Sequence, residues 1–451
     1  MGRAHRLPSL PPRALGTAPP FTSTGGAVGP PWAAAEPEAP APIQVGAPRV
    51  LHLATEATFA RDPAGRVWCK ELQGNEHWTM AAGVFDRVHL VARVVDVAEP
   101  APPALALDPA RIEIVPLPAY RGIVGFARAA PRLLRQQWAA SRAVEVALLR
   151  LPGPVATVMG LCLALRGRAY VVELVGDIDD VFATAGFGAP TRATRAPARW
   201  LTRYLCRTAR AISYVTREAL QRKYPSGARA TRCACSDVQL EPDDFAAAPH
   251  RFVPGATARI VFSGSLARRY KGADVLVAAV ARLRDRGVAV EVSVAGDGFH
   301  RAELAAQIAA LGVGDRIELL GHVPRPHMLE LFAAADLFVI PSRTEGLPRA
   351  LVEAMAKGLP CIGSRVGGIP ELLADDALVP PDRPDALADA IARFVADPAR
   401  MARAAARNLE VARAFTAARL FSERMRFLHA IVGAEPAVAD AASRYAAATG
   451  S

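Results

Sequence analysis

The sequence predicts an α/β protein made of two Rossmann-like, doubly wound domains that face a central cleft. From residue 48 onward, short apolar runs suited to buried parallel strands alternate with helical segments. The chain has 451 residues, which is too long for one hydrophobic core and fits two domains of ordinary size. Residues 241–257 are polar and rich in turn-forming residues, as expected of a linker between the domains.

The composition is that of a globular protein with a basic charge balance. Apolar residues make up 51% of the chain, and the formal net charge is +11. This charge favours an anionic partner, either a phosphorylated substrate or an anionic membrane surface. We expect no nucleic acid partner, because no nucleic-acid-binding motif accompanies the charge. The six cysteines form no small-domain framework and indicate reduced thiols in the cytoplasm.

The start of the chain is predicted to be a disordered tail. Residues 1–47 are rich in proline, alanine and glycine, and they contain no apolar run that could form the core of a signal peptide. The longest apolar run, residues 151–165, is interrupted by Pro152 and Gly153. It is too short and too broken to span a bilayer, so we predict a buried helix there.

The first predicted domain, residues 48–240, contains six candidate strands. They are residues 49–54, 87–94, 111–115, 144–150, 169–175 and 211–215. Polar residues that follow such strands lie at the carboxyl edge of a parallel sheet, where ligands bind. Glu56, Arg150 and Asp177 have this position, although for each the simpler interpretation is a helix cap, a surface group or a satisfied core partner.

Four arginines near the end of the first domain form what we call the arginine stripe. Arg199, Arg203, Arg207 and Arg210 recur at intervals of four, four and three residues, so they line one face of a helix predicted to begin near Pro197. The large apolar residues of this helix are expected to point elsewhere. A solvated helix face is the simpler interpretation, and an anionic leaflet is the partner that the stripe would fit.

In the second predicted domain, residues 258–415, strands and helices alternate more regularly. Its candidate strands are residues 259–263, 290–295, 316–320, 337–340 and 360–363. Two helical stretches, residues 384–396 and 398–431, close the fold, and residues 433–451 are predicted to be a flexible tail.

Residues 336–361 have the pattern of a buried strand, a tight turn and a helix. Pro348 and Gly358 stand where a helix begins and ends. Backbone N–H groups and the positive end of the helix dipole would then form an anion site in the crevice. Glu345 and Glu353, about two helical turns apart, are suited to accept hydrogen bonds from neighbouring sugar hydroxyls. Unless both glutamates are merely solvated, the pattern predicts a nucleotide sugar as ligand.

Five pieces of the second domain resemble the retaining glycosyltransferases of family 4, the group 1 glycosyl transferases. They are residues 262–272, 295–298, 320–323, the Glu-x7-Glu pair of residues 345 and 353, and residues 366–371. The first domain is similar in outline only. The resemblance implies the GT-B architecture, in which two Rossmann-like domains face a cleft and the last helix, residues 416–432 here, crosses back to the first domain.

The resemblance also implies site residues. Lys271 would stabilise charge on the diphosphate, Glu345 would orient the sugar, and Glu353 would accept hydrogen bonds from the ribose. The other expected donor-binding residues are Gly264, Ser265, Arg269, Gly296, Gly298, Val323, Gly346 and Leu347. The family has an arginine where this sequence has Ser265, and either Arg268 or Arg269 would supply the missing cation.

In the first domain, Asp177 is the candidate catalytic residue. Asp177-Ile-Asp179 also matches the Asp-x-Asp sequence with which glycosyltransferases of another fold hold a divalent ion. Its place in the half opposite the nucleotide motif argues against that use, so no metal and no other cofactor are expected.

The resemblance implies that the protein moves a hexose from a nucleotide diphosphate sugar to a glycan or lipid-linked acceptor with retention. Such an enzyme would act in cell-surface polysaccharide or glycolipid assembly, peripheral at the inner face of the cell membrane. Three alternatives stay open: a nucleotide-sugar epimerase of the same fold, a phosphorylase of the same fold, and an inactive membrane-associated binding subunit. An epimerase would need no acceptor, and a phosphorylase would need free phosphate.

Overall fold

The computed structural model describes residues 49–69, 76–102, 105–120, 122–184 and 191–433, so the predicted tails fall almost wholly outside it. The strands are β1 Val50–Arg61, β2 Val67–Cys69, β3 Arg87–Asp96, β4 Ile112–Pro118, β5 Val146–Leu151, β6 Val171–Leu174, β7 Ala211–Tyr214, β8 Thr231–Ala234, β9 Ala258–Ser263, β10 Val290–Ala295, β11 Ile317–Gly321, β12 Leu337–Ile340, β13 Cys361–Ser364 and β14 Leu378–Val379. The helices are α1 Glu76–Ala82, α2 Gly122–Ala140, α3 Pro154–Leu165, α4 Ile178–Thr184, α5 Thr191–Thr208, α6 Ala219–Lys223, α7 Ala273–Asp285, α8 Arg301–Ala310, α9 Arg325–Ala334, α10 Arg349–Ala356, α11 Ile369–Leu372, α12 Pro384–Ala396, α13 Pro398–Ala412 and α14 Ala417–Val432.

Two separate sheets confirm the predicted α/β class and the GT-B type of fold. The first has the order β4-β3-β1-β5-β6-β7-β8 with parallel neighbours, and β2 pairs antiparallel with β1. The second has the order β11-β10-β9-β12-β13-β14 and is parallel throughout. In each sheet the strand order reverses beside the domain's first strand. Each sheet therefore has the switch-point crevice in which ligands of such folds bind.

Most ends of the predicted elements agree with these bounds to within a few residues, but β1 continues to Arg61, seven residues past its predicted end, and β2, β8 and β14 were not predicted. Two predicted helices also differ. The helix α5 begins at Thr191 and runs through Pro197, which was predicted to lie at its start. Proline lacks the N–H that a helix interior needs, so sequence reasoning places it at a helix end. The helical stretch predicted for residues 398–431 is interrupted by a short 3-10 helix, Arg413–Phe415, so that α13 and α14 are separate helices.

The predicted buried helix is present as α3. Its residues Val155, Ala156, Met159 and Leu163 are fully buried in the core of the first domain. No α-helix within the described ranges has both the length and the apolar character needed to cross a membrane.

The helix α14 joins the two domains. Near its start, Leu420 packs into the core of the second domain. Toward its end, Phe427 and Ile431 pack into the first-domain core together with Leu51 and Leu53 of β1. The last helix therefore contacts both domain cores, as the family resemblance implies.

A cluster of four charges attaches α14 to the first sheet. Arg424 of α14, which is 7% exposed, donates to Asp237 at 2.6 Å and lies 3.5 Å from Glu173 of β6. Arg150 of β5 donates to Glu173 at 2.6 Å and to Asp237 at 2.5 Å. Arg150, one of the strand-end candidates, is therefore a core ion-pair partner, in line with its simpler interpretation.

Candidate active site

The predicted strand, turn and helix of residues 336–361 lie at the switch point of the second sheet. The loop after β9 and the loop after β12 meet there, because β9 and β12 are neighbours at the point where the strand order reverses. Lys271 Nζ donates to Glu345 Oε1 at 2.6 Å, and Ser342 Oγ donates to the same oxygen at 2.7 Å. Lys271 and Glu345 are both largely buried, with 17% and 7% of their side chains exposed. The structure thus brings together two residues that are 74 positions apart in sequence.

Glycines let two loops of this site, the loop after β9 and the loop after β10, pack closely. A Cβ on Gly264 would lie 2.9 Å from Lys271 Cγ, one on Gly296 would lie 1.9 Å from the Gly264 carbonyl oxygen, and one on Gly298 would lie 2.1 Å from the Ala267 nitrogen. At Gly296 and Gly298 the neighbouring atoms are backbone and the distances are too short for a real Cβ, so both positions require glycine, whereas a Cβ on Gly264 would make the Lys271 side chain shift. The predicted glycines thus form one close-packed floor beneath Lys271.

Two further glycines, Gly367 and Gly368, hold the turn that carries Glu345. Gly367 has φ +52°, and a Cβ there would lie 1.8 Å from the Glu345 carbonyl oxygen. The Gly368 N–H donates to the Gly346 carbonyl at 2.8 Å. Leu347, the next residue of the turn, packs against the second-domain core. The loop before α11 therefore fixes the backbone of the donor turn, by which we mean residues 345–347.

Glu353 is buried and points toward the loop after β11, which contains Val323. Its Oε1 accepts from Arg325 Nε at 3.2 Å, and the same guanidinium donates to Asp244 at 2.6 Å. Burial raises the pKa of Glu353 above its usual value, although Arg325 opposes this shift. Sequence reasoning missed Arg325, whose position two residues after Val323 was the available signal.

The loop between β9 and α7 contains Ser265, which stands where the family has an arginine, and the two arginines that could replace that cation. Ser265 is exposed, and its hydroxyl accepts from the Ala267 N–H at 3.2 Å. Arg269 forms an ion pair with Glu303 of α8. Arg268 is half-buried, and among the residues that the structure describes its side chain has no hydrogen-bond or ion-pair partner. Of the two arginines, Arg268 is the one whose charge is not already matched.

Across the cleft, Asp177 and Asp179 lie in a network of cations at the end of β6. Asp177 accepts from Lys223 Nζ and from the Tyr224 hydroxyl. Asp179 accepts from Arg195 at 2.6 Å, from Lys223 at 2.6 Å and from Arg199 at 2.7 Å. Although burial alone would raise it, these hydrogen bonds hold the pKa of Asp179 well below its usual range.

The Asp-x-Asp pair is therefore already neutralised by lysine and arginine. Within the described ranges, no three His, Cys, Asp or Glu side chains are grouped so that they could hold a metal ion.

A cavity of about 560 Å³ separates this network from the loops of the second domain. Its lining residues are Asp177, Asp179, Asp180, Arg195 and Lys223 from the first domain, with Arg268, Arg269, Tyr270, His300, Arg343 and Thr344 from the second. We call this space the interdomain cleft. A larger cavity of about 650 Å³ lies against β9, β10 and α9, but none of the predicted site residues lines it, so it is not the candidate site.

Asp180 is a cleft residue that sequence reasoning missed. Burial raises its pKa to about 7, and the negative charges of Asp177 and then Glu345 add to the shift, while Lys223 opposes it. Asp180 lines the cleft together with Thr344, the residue directly before the donor turn. The signal in the sequence was its position directly after Asp177-Ile-Asp179.

The two domains also meet through Glu371 of α11. Its Oε2 accepts from the Arg217 N–H at 2.7 Å, and its Oε1 accepts from the N–H groups of Ala219 at 2.6 Å and Glu218 at 3.1 Å. Glu371 belongs to a segment that resembles the family, but sequence reasoning assigned it no role.

The arginine stripe differs from its prediction at two residues. Arg210 lies past the end of α5, which stops at Thr208. Arg199 turns inward to Asp179, whereas Arg203, Arg207 and Arg210 are exposed. The reason is that α5 borders the cleft, so one edge of the predicted face meets a buried carboxylate instead of water.

The aromatic residues of α5 also differ from prediction, because they share the outer surface with the arginines. Trp200 is 66% exposed and stacks on Tyr204, with ring centroids 5.8 Å apart. Leu205 on the opposite side of the helix is buried in the core. Packing of α3 against that side leaves the aromatic pair facing solvent.

Glu56 has the simpler of its two predicted roles. Its Oε2 accepts from the Val155 N–H at 3.1 Å in the first turn of α3, and its Oε1 accepts from the Tyr120 hydroxyl at 2.6 Å. It caps a helix and binds a neighbouring side chain.

Comparison with known proteins supports the resemblance in the second domain. A family model described as Glycosyl transferases group 1 matches residues 257–397, so this segment is similar to that family. A D-inositol 3-phosphate glycosyltransferase of Mycolicibacterium gilvum is 34% identical over 169 residues, which are 36% of this chain and 38% of that protein. The chain thus matches well under two thirds of this curated relative's length.

Two solved structures resemble the whole described fold. A sucrose-phosphate synthase from Thermosynechococcus elongatus has a TM-score of 0.61 with 18% identity, over 84% of this chain and 98% of that one. Anabaena Alr3699/HepE in complex with UDP-glucose has a TM-score of 0.55 with 19% identity, also over 84% and 98% of the two chains. At such identities the likeness concerns the fold alone, and that fold is the one predicted.

Proposed function

We propose that the protein is a retaining glycosyltransferase that moves a hexose from a nucleotide diphosphate sugar to a hydroxyl group of a glycan or lipid-linked acceptor. The observation that carries the proposal is the contact between Lys271 and Glu345 at the switch point, inside a segment that matches the group 1 glycosyl transferases. UDP is the first nucleotide to test, because a solved structure of the same fold holds UDP-glucose.

On the donor side, the diphosphate takes the place of Glu345 as the partner of the Lys271 ammonium. The turn amides and this charge stabilise the negative charge that grows on the leaving phosphate. Arg268 supplies the second cation, since its charge is not matched by another described residue. Glu345, released from Lys271, accepts hydrogen bonds from the hexose hydroxyls and orients the sugar.

Glu353 accepts from the ribose hydroxyls on the other side of the diphosphate. Its buried carboxylate already receives an N–H from Arg325, so Arg325 holds the carboxylate in place beside the loop that contains Val323. Main-chain groups of that loop contact the base.

The acceptor binds in the interdomain cleft, between Asp177 and the donor turn. The departing phosphate takes the proton of the acceptor hydroxyl on the same face as the leaving group, which retains the configuration at the anomeric carbon. Asp177 and Asp180 lie on the acceptor side of this arrangement. Their place supports a role in holding the hydroxyl that attacks.

Calorimetric titration with UDP, GDP and ADP tests the donor half of the proposal. One of them should bind, and the corresponding nucleotide sugars should then release nucleoside diphosphate only when an acceptor is present. The anomeric configuration of the product, read by NMR, tests retention. Binding of none of the three would overturn the proposal, and isomerised sugar without acceptor would indicate an epimerase instead.

We also propose that the first domain rests on an anionic leaflet, in polysaccharide or glycolipid assembly at the inner face of the membrane. The exposed residues Arg203, Arg207 and Arg210 support this, because basic residues near such a surface contribute about 1 kcal/mol each. Trp200 and Tyr204 lie on the same outer surface, and such aromatic residues are suited to a membrane interface.

Vesicle sedimentation tests the membrane proposal. The protein should pellet with anionic but not with neutral vesicles and should be released at high salt, because screening shortens the reach of the charges. A variant with Arg203, Arg207 and Arg210 changed to glutamine should lose most of the binding. Arg199→Gln alone is the matched control, since Arg199 is held by Asp179. Equal pelleting of the triple variant and the wild type would contradict the proposal.

A further inference from the structure

We infer that Glu371 is a positioning residue that couples the two halves of the interdomain cleft, by holding the start of α6 against the donor turn. The inference rests on the proposed function, because it assigns Glu371 to a transfer that needs both halves aligned. Glu371 would touch neither donor nor acceptor. It would act through the residues on either side of it.

The contact itself crosses the boundary between the two domains. The Glu371 carboxylate accepts from three consecutive N–H groups, those of Arg217, Glu218 and Ala219, at 2.7, 3.1 and 2.6 Å. Hydrogen bonds to an ionised carboxylate are stronger than those between neutral groups. Three of them on one side chain fix both the distance and the orientation of the two segments.

On the donor side, Glu371 is joined directly to the turn that holds Glu345. The Glu371 N–H donates to the Gly368 carbonyl at 3.1 Å, and the Gly368 N–H donates to the Gly346 carbonyl at 2.8 Å. Gly367 packs so closely on Glu345 that no Cβ fits between them. The donor turn and Glu371 therefore move as one unit.

On the acceptor side, the helix whose start is held by Glu371 contacts Asp177 and Asp179 at its other end. The helix α6 spans Ala219–Lys223. Its last residue, Lys223, donates to Asp177 and Asp179, and the next residue, Tyr224, donates to Asp177. An element held by Glu371 at its start therefore sets the position of the acceptor-side carboxylates at its end.

The domains are already in contact beside this link. A Cβ on Gly346 would lie 3.5 Å from the Val175 carbonyl oxygen, and one on Gly368 would lie 3.2 Å from Thr216 Cγ2. Such a close approach supplies only van der Waals attraction, which is individually weak, whereas the Glu371 carboxylate supplies three hydrogen bonds. Loss of Glu371 should therefore loosen the cleft and leave the donor site intact.

The test uses the full chain with Glu371→Ala and Glu371→Gln, and Glu410→Ala as the matched control. Glu410 is an exposed glutamate of α13 whose ion pair with Arg413 stays within the same part of the chain. Transfer should fall by about 10- to 100-fold in kcat/KM for Glu371→Ala and by less for Glu371→Gln, which keeps an acceptor oxygen. The Kd for UDP should stay within about twofold of the wild type, as expected for a group remote from the donor.

A distance measurement separates this inference from the proposed function. Spin labels at Ala139→Cys in α2 and Ala309→Cys in α8, both exposed positions, report the separation of the domains by pulsed EPR. A sample without the new cysteines corrects for labelling of the native ones, five of which are buried. The distance distribution should broaden and shift in Glu371→Ala, change less in Glu371→Gln and stay unchanged in Glu410→Ala.

The possible results distinguish a failure of this inference from a failure of the proposed function. If UDP binds to none of the proteins but the distances change as expected, the proposed donor is wrong while Glu371 still joins the domains. If Glu371→Ala keeps the wild-type distances and kcat/KM, the inference is overturned. It is also overturned if Glu371→Ala folds and loses UDP affinity in proportion to kcat/KM, because Glu371 would then belong to the donor site.

Discussion

The two halves of the interdomain cleft are shaped by different kinds of contact. The donor half is shaped by backbone, with Gly296, Gly298 and Gly367 placed where a Cβ would meet the backbone of a neighbouring loop. The acceptor half is shaped by charged side chains that bind one another, such as Asp179 with Lys223. The difference teaches that a site made of close-packed turns can be recognised in the sequence from the spacing of its glycines. A site made of ion pairs appears in the sequence only as scattered charged residues.

The same contrast predicts how each half responds to change. A backbone turn packed at van der Waals limits cannot absorb an added methyl group, because its neighbours are also backbone atoms. An ion-pair network can re-pair when one member is lost, since Asp179 alone accepts from three cations. We therefore expect larger effects on the donor side.

The largest effect is expected for Gly367→Ala. The new Cβ would lie 1.8 Å from the Glu345 carbonyl oxygen at a residue with φ +52°. The free energy of unfolding should fall by about 2–4 kcal/mol, and UDP binding should weaken at least about tenfold, because the donor turn must shift. Chemical denaturation and calorimetry measure the two effects.

Gly314→Ala is the matched control for that substitution. The nearest atom to a Cβ at Gly314 is Ile308 Cγ2 at 3.9 Å, which is ordinary contact. If both variants were equally stable and bound UDP equally well, the donor half would not be defined by its backbone.

The next largest effect is expected for Lys271→Ala, which removes the positive charge beside Glu345 of the donor turn. The kcat for nucleotide-sugar turnover should fall by about 10²-fold, because the charge that Lys271 meets grows in the transition state. Lys357→Ala is the control, since the Lys357 side chain lies away from the site and donates to the Asp243 carbonyl in the linker. EDTA should leave the wild-type rate unchanged, and a requirement for manganese would instead favour the Asp177 and Asp179 pair.

Glu353→Ala should have a smaller effect that appears in binding. The ribose hydroxyls lose a charged acceptor worth about 1.5–3 kcal/mol, so the Kd for UDP should rise by roughly 10- to 100-fold. Glu345→Ala provides the contrast, with lower turnover and nearly normal UDP affinity. Unchanged UDP affinity in the Glu353 variant would rule out the ribose assignment.

The smallest effect is expected on the acceptor side, for Asp180→Asn. Burial raises the pKa of Asp180 to about 7, with further contributions from Asp177 and Glu345. The folded chain then holds this proton more tightly than the unfolded chain, whose carboxyl titrates near about 3.9. The stability from this group is full below about pH 4 and is lost as the pH rises through about 7.

Asp180→Asn removes that loss of stability. Its Tm should exceed that of the wild type at pH 8 by about 1–3 °C and should approach the wild-type value at pH 4. Asp315→Asn is the control, because 75% of the Asp315 side chain is exposed. A Tm difference that does not depend on pH would show that Asp180 ionises normally.

Sequence reasoning reached much of the fold and the donor side. The strands β10 and β12 were predicted with the bounds that the structure has, since apolar runs between turn signals are local features. Lys271 and Glu345 were predicted as members of one site and lie 2.6 Å apart. Both follow from motifs whose members are held by short loops at one sheet edge.

Two of the residues that sequence reasoning missed have partners that lie far away in the chain. Arg325 meets Glu353 from 28 positions away, and Lys223 meets Asp177 from 46 positions away. Arg199 was assigned to an exposed stripe by its spacing, yet its guanidinium binds Asp179. Helical periodicity indicates which residues share a face, but it does not say what that face meets.

The sequence by itself determined the class of the protein: two parallel sheets, a turn that carries Glu345 at a switch point, and glycines spaced so that backbone can approach a ligand. These features are local, because strand, turn and glycine preferences depend on a few neighbouring residues. Only the tertiary structure decided which charges are paired within each half of the cleft and that Glu371 spans 152 positions to reach the Ala219 N–H. Such contacts depend on how two domains pack against each other, and the interaction energy of distant side chains leaves no periodic pattern in the chain.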